Sequence, residues 1–321
     1  MYDIISLGEL LIDFTPRGLS ERGNYLFEAN PGGAPCNVLA AAAALGKKTA
    51  FIGKVGEDTF GSFLKDTISS LGIGTQSLYK TSDCFTTLAF VTLDSEGNRN
   101  FAFSRNGSAD TMLSPDEISD STVKDTSVFH VGSISLTDEP SRSATLKALD
   151  CARANGVVIS VDPNLREPLW KNAEDAKTAI RTVLSYADII KISDYELEFL
   201  YGTSDVRTGM EKCFEEFSPK ILFATCGKDG AYVMCNGITL HHPCYLKVKT
   251  VDTTGAGDSF CGASLCALID AGLDFESLGE NELYEIIRFA SAAASITTSR
   301  YGAISVMPNC QEIEELIRAG L

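Results

Sequence analysis

From residue 128 onward, short apolar runs alternate with longer helical stretches, and this alternation constrains the fold more than any other feature. Runs at 128–131, 157–161, 189–192 and 221–225 read as buried strands. Stretches near 141–154, 173–185, 194–201 and 208–217 read as the helices that follow them. That order predicts an α/β fold with a parallel sheet and helices on both of its faces. Upstream, residues 2–8 and 50–53 read as strands and 58–71 as a helix. An alanine-rich helix opens at 31–37 and stops at Leu45-Gly46, with Pro35 near its first turn and a glycine past its end. Residues 232–246 read as antiparallel strand, and two long helices follow near 256–271 and 281–298.

Two segments depart from the alternation. Residues 85–93 and 100–104 flank Asp94-Ser-Glu-Gly-Asn98, a hairpin pattern with turn residues in the middle. Residues 15–30 are polar, contain glycine and alternate weakly. These extra strands, from about 11–30 and 85–105, are expected to pair into a small sheet over the core. With no internal repeat, low-complexity tract or linker, residues 1–321 read as one domain. Ligands of such sheets bind at the carboxyl ends of the parallel strands.

The 43 acidic residues outnumber 27 basic ones, a net charge of −16, which disfavours nucleic acid and anionic membranes as partners. An anionic ligand must then be held by local devices. The ten cysteines show no Cys-x-x-Cys and no zinc spacing, and read as free thiols in a reducing cytoplasm. No secretory signal is visible: Asp3 stands where a basic segment belongs, and Asp13 interrupts the first apolar run. The longest alanine-rich stretch is too short to span a bilayer. His130, His241 and His242 have no Gly-x-Ser-x-Gly elbow to serve.

The chemistry lies in the glycine-rich segments. There is no P-loop, and no Gly-x-Gly-x-x-Gly follows the first strand. The strongest feature is Val251-Asp-Thr-Thr-Gly-Ala-Gly-Asp258. After it, Cys261, Leu265, Leu268 and Ile269 fall at i, i+4, i+7 and i+8, the pattern of a helix with one buried face. The glycines therefore sit at a helix N-terminus, where unpaired N–H groups and the positive dipole end form an anion site. Asp258 falls in the first turn. On the helix start alone, an N-terminal cap or dipole partner is the reading to favour. A carboxylate beside an anion cradle is also what phosphoryl transfer to an alcohol needs.

The segment as a whole resembles the C-terminal signature of the ribokinase-like (PfkB-type) carbohydrate kinases, and Pro31-Gly-Gly-Ala-Pro-Cys-Asn37 resembles their di-glycine signature. The resemblance runs through Val55-Gly-Glu-Asp-Thr-Phe-Gly61, Phe129-His-Val-Gly-Ser-Ile-Ser135, Asp162-Pro-Asn-Leu-Arg166 and Asp188-Ile-Ile-Lys-Ile-Ser193, so it covers essentially the whole chain. Within the family, the di-glycine segment, Arg105-Asn-Gly-Ser-Ala-Asp110 and Asp162-Pro-Asn-Leu-Arg166 look most like fructokinases.

The resemblance implies a three-layer α/β/α sandwich with a small β-sheet lid, and an ATP-dependent kinase making fructose 6-phosphate. It implies Asp258 as the base for the sugar's primary hydroxyl, and Gly255, Ala256 and Gly257 as the anion hole. Asp13, Gly32, Gly33 and Asn37 would bind the sugar, with Arg105 reaching from the lid and Arg166 near the substrate or the moving phosphoryl group. For ATP it implies Ser193, Glu196, Thr225, Gly227 and Gly230, with Ala290 and Ala294 beside adenine. Glu196 would order Mg²⁺ through water. Asp252 and Thr254, with backbone near Thr297, Arg300 and Gly302, match a monovalent-cation loop that would take K⁺. Four positions depart from the usual pattern: Ser193 replaces asparagine, Ser104 tyrosine and Gly107 proline, and the serine after Gly-Ala is displaced to Ser305. Family members often pair lid to lid, so a homodimer is expected. Two alternatives remain: a 2-keto-3-deoxygluconate kinase or another sugar kinase on the same scaffold, and an inactive sugar-binding or partner protein.

Overall fold

The computed structural model describes residues 1–93 and 99–320. The first half contains β1 (Tyr2–Leu7), β2 (Leu11–Leu19), β3 (Tyr25–Gly32), α1 (Ala34–Ala44), β4 (Thr49–Gly56), α2 (Thr59–Ser70) and β5 (Gly74–Thr81). Then come β6 (Leu88–Leu93), β7 (Arg99–Ser104), α3 (Asp120–Val123), β8 (Thr126–Val131), α4 (Ser141–Ala154) and β9 (Val158–Val161). The rest is α5 (Ala173–Leu184), β10 (Ile189–Ser193), α6 (Asp194–Tyr201), α7 (Val206–Phe217), β11 (Ile221–Thr225), β12 (Ala231–Cys235) and β13 (Ile238–His242). Three helices close the chain: α8 (Ala256–Asp270), α9 (Glu280–Thr298) and α10 (Cys310–Ala319).

Among the described residues, nine strands form the main sheet, in the order β13-β12-β11-β10-β9-β8-β1-β4-β5. From β11 to β5 every pairing is parallel, whereas β12 and β13 are antiparallel. The chain winds from β1 outward to β4 and β5, then returns to β8 on the other side of β1. That reversal makes the carboxyl end of β1 the switch point where such sheets hold ligands.

Side chains alternate between the two faces, as a doubly covered sheet requires. Val128, Ile189 and Phe223 pack with α1, α8 and α9, while Phe129, Ile190 and Leu222 pack with α4, α5 and α7. Local chemistry sets the helix ends. The Asp58 carboxylate caps α2 by accepting from the Gly61 amide at 2.7 Å, and Gly202 ends α6 in the left-handed conformation.

The extra strands do form a separate sheet, β3-β2-β6-β7, in which β2 and β6 run parallel and the outer pairings are antiparallel. The hairpin pairing of β6 with β7 is as expected, but its turn, Asp94 to Asn98, lies outside the described residues. The strand expected over 232–246 is two strands with a break at Asn236-Gly237. Strand β5 and helix α10 had no counterpart in the sequence reading.

One close approach fixes the site. A Cβ on Gly262 would stand 2.7 Å from both Ala41 Cβ and Val38 O, so only glycine lets α8 cross α1 at this distance. Phe260 anchors α8 to the sheet by an edge-on contact with Phe223, ring centroids 5.8 Å apart. Gly262→Ala is expected to destabilise the protein by roughly 1–3 kcal/mol through overpacking, read by urea denaturation.

Candidate active site

Strand exits converge around β1. The exit of β9 carries Asp162 and Asn164, β10 carries Lys191 and ends at Ser193, and β11 ends at Thr225. From the small sheet come Asp13 on β2 and Phe103 on β7, and Asn37 comes from α1. With Asp258 from α8, these residues surround a polar cavity of about 420 Å³.

Asp258 is 7% exposed. Its Oδ2 accepts from Asn37 Nδ2 at 2.7 Å, and its Oδ1 from Asn164 Nδ2 at 3.2 Å. Burial raises its pKa above the ordinary carboxylate value, while the Asn37 hydrogen bond and the charges of Lys191 and Arg166 pull the other way. Lys191 donates to Asp162 at 2.9 Å inside the core. Burial opposes the Lys191 charge, but Asp162, Glu196 and Asp258 outweigh it and raise its pKa.

Gly255 precedes α8 with φ +75, the left-handed region, and a Cβ there would stand 2.6 Å from Ala303 Cβ. No side chain caps α8. The Ala256 amide donates to the Thr253 carbonyl at 3.3 Å, and the amides of Gly257 and Asp258 are left open to an anion.

A second cavity, of about 460 Å³, lies on the other side of the α8 N-terminus and is lined by Gly227, Gly230, Tyr245, Ala256, Phe260 and Ala294, among others. Thr225, Thr253 and Gly257 line both cavities, so the two meet at the start of α8. A larger groove of about 730 Å³ runs between α8, α9 and α10 and is lined by none of the candidate site residues.

Asp13, Gly33, Asn37, Arg105, Arg166, Ser193, Glu196, Thr225, Gly255, Gly257 and Asp258 share the polar cavity. Gly32 is buried at the end of β3, paired with Leu11. Ala294 lines the second cavity, but Ala290 is fully buried one turn away and packs into the core. Arg105 is held by protein partners. Its Nε donates to Asp110 Oδ2 at 2.8 Å, Nη1 to Thr137 Oγ1 at 2.5 Å and Nη2 to the Ile134 carbonyl at 3.1 Å.

Glu196 is engaged as well. Its Oε1 accepts from the Leu165 amide at 2.7 Å, and its Oε2 from the Ser193 amide and hydroxyl at 2.8 Å. Among the described residues no cluster of three or more His, Cys, Asp and Glu could cage a metal. The donor set suits an ion held by phosphates and water, with carboxylates behind. In the suggested cation loop, Asp252 accepts from the amides of Thr254 (2.8 Å) and Gly302 (3.2 Å). The expectation there concerns backbone at Thr297 and Arg300; their side chains are engaged elsewhere, the Thr297 hydroxyl with Ser259 and the Ala293 carbonyl and Arg300 with Glu312.

Sequence reasoning passed over Glu9, Asn164 and Lys191. The last two lie in segments already noticed, Asp162-Pro-Asn-Leu-Arg166 and Asp188-Ile-Ile-Lys-Ile-Ser193. Their pairing with Asp258 and Asp162 across the fold leaves no periodic trace.

A family model described as pfkB family carbohydrate kinase matches residues 1–310. The chain belongs to that family. Fructokinase-2 of Solanum lycopersicum is 42% identical over 324 residues, covering 99% of this chain and 96% of the relative. The structure of fructokinase with bound ATP from Xylella fastidiosa superposes with a TM-score of 0.90 at 31% identity, covering 99% of each chain. That of fructokinase from Vibrio cholerae O395 in a fructose, ADP and calcium ion bound form gives a TM-score of 0.87 at 32% identity, covering 98% of this chain and 99% of that one.

Asn37→Leu removes the hydrogen bond that favours the charged form of Asp258. The loss raises the pKa of Asp258 further, so any rate that needs its carboxylate fails at a higher pH. The acid limb of kcat/KM is expected to move upward in pH relative to wild type, read from a pH–rate profile.

Proposed function

We propose that the protein is a fructokinase, transferring the γ-phosphoryl group of ATP to the primary hydroxyl of D-fructose to give fructose 6-phosphate and ADP. One observation carries the reading: a buried carboxylate, fixed by two asparagine amides, stands at an uncapped helix start where two cavities meet. The fructokinase names of the relatives and the ligands of the Vibrio structure support fructose as the substrate.

In this reading the sugar fills the polar cavity, with Asp13 and Asn37 on its hydroxyls. Asp258 takes the proton of the 6-hydroxyl as that oxygen attacks the γ-phosphorus in line. The O–P bond to ADP breaks as the new one forms. Open N–H groups at the start of α8 and the charge of Arg166 stabilise the moving phosphoryl group. ATP lies in the second cavity, with its phosphates toward Gly257, its ribose by the Gly227–Gly230 turn and adenine near Ala294. Glu196 would hold, through water, a magnesium ion that would supply charge neutralisation to the phosphates. Asp252 and the carbonyls of its loop would hold K⁺ behind the anion site.

Residues 1–321 act in this reading as one kinase unit, with the four-stranded sheet as lid. That sheet exposes Tyr25 (79%), Leu26 (45%) and Phe27 (40%), which suits a homodimer formed through the lid. No helix among the described residues is long and apolar enough to cross a membrane, and ten free cysteines fit a reducing cytoplasm.

A coupled assay across fructose, ribose, 2-keto-3-deoxygluconate and nucleosides tests the substrate. Fructose is expected to give the highest kcat/KM, and no turnover on fructose overturns the assignment. Asp258→Ala is expected to lower kcat by about 10²–10⁴-fold while fructose still binds. Near-normal turnover in that variant removes the base.

A further inference from the structure

We infer that Glu9 is a specificity-determining residue of the sugar cavity: its carboxyl contacts a neutral, polyhydroxylated sugar and turns away sugars that carry a carboxylate of their own. This rests on the sugar-kinase reading above.

Glu9 follows β1 at the switch point of the main sheet, so the topology places it where the strands open. It is 3% exposed and lines the polar cavity. Its Oε1 accepts from the Ala34 amide at 3.0 Å. The carboxyl thus takes the place of the cap that Gly33 cannot supply to α1. Among the described residues Glu9 makes no ion pair. The cation that acts on it, Arg105, already has all three guanidinium nitrogens on Asp110, Thr137 and the Ile134 carbonyl. Asp110 is held in turn by Ser108 at 3.1 Å and by Thr87.

This wall therefore offers a ligand an acid and a neutralised arginine. A sugar hydroxyl donates to such an acid without charge repulsion. A sugar carboxylate meets a like charge where water cannot screen it.

Burial pushes the Glu9 carboxyl up to about 7; its own amide, Arg105 and the Ala34 amide pull it down, and Asp110 adds to the rise. The groups facing it are Arg105, Asp110 and the Cys36 thiol, with Asp13, Asp258, Glu196, Lys191 and Arg166 elsewhere around the cavity. Its charge thus grows between pH 6 and pH 8, and rejection of acidic sugars should grow with it.

Glu9→Gln separates the two roles, because glutamine still accepts from the Ala34 amide but carries no charge. Calorimetric binding of fructose and of 2-keto-3-deoxygluconate, with KM and kcat for fructose, reads the difference. The expected result is a rise in fructose KM of about tenfold, as for loss of a hydrogen bond to a charged group, with kcat nearly unchanged. The preference for fructose over the acid should fall by a similar factor. In the wild type, affinity for the acid should weaken from pH 6 to pH 8, and in Glu9→Gln, where Asp258 and Asp162 alone still titrate, it should weaken clearly less.

A folded variant with wild-type KM and wild-type preference overturns the inference and leaves Glu9 a cap alone. If the variant does not fold, the wild-type pH series decides, and a pH-independent affinity for the acid overturns it. A wild type that binds fructose without phosphorylating it contradicts the fructokinase reading, while the binding arms still judge Glu9.

Discussion

Asp258 is a carboxylate that burial penalises and its neighbours retain. Taking a carboxylate out of water is costly unless hydrogen bonds and charges compensate. Here the compensation comes from distant parts of the chain: an amide from α1, another from the β9 exit, and the positive charges of Lys191 and Arg166. Each contact depends on a packing decision elsewhere. Asn37 reaches Asp258 because Gly262 lets two helices cross closely, and α8 keeps its place because Phe260 stacks edge-on against Phe223. The same raised pKa makes the group a better proton acceptor than an exposed aspartate, so the strain of burial serves the proposed chemistry.

The location of the site also answers a problem of charge. A chain of net charge −16 has no global attraction for a polyanion such as ATP. Attraction is local. On the proposed reading it comes from the open amides at the α8 N-terminus, whereas the charge of Lys191 is held and offset by three surrounding acids. Among those acids Asp162 and Glu196 are themselves engaged, one with Lys191 and the other with Ser193 and Leu165. A network satisfied in this way is rigid, which suits a site that works by holding two substrates in line.

Much of the fold was legible because the alternation of strands and helices is a periodic signal. The four strands from β8 to β11 and the helices between them fall within a few residues of their expected places. Strand β5 was missed: only Leu78 along its length is buried, so it lacks an apolar run. Helix α10 has a single fully covered residue, Ile313, and offers an equally thin stripe. At the site, glycine-rich segments and their aspartates were readable because a helix start constrains residue type. Glu9 was not: one acid after a short strand resembles any turn residue, and its importance arises only when Ala34 and Arg105 come to meet it. Ala290 shows the opposite ambiguity, since small size suits an adenine wall and a helix core equally well, and Ala290 is fully buried.

The most direct test of the account is a crystal structure with fructose, ADP and a planar metal-fluoride mimic of the transferring phosphoryl group. The account predicts the fructose 6-hydroxyl within about 2.6–3.2 Å of an Asp258 carboxylate oxygen, with the mimic facing the amides of Gly257 and Asp258. A 6-hydroxyl directed away from Asp258, or a mimic bound clear of the α8 N-terminus, would contradict it.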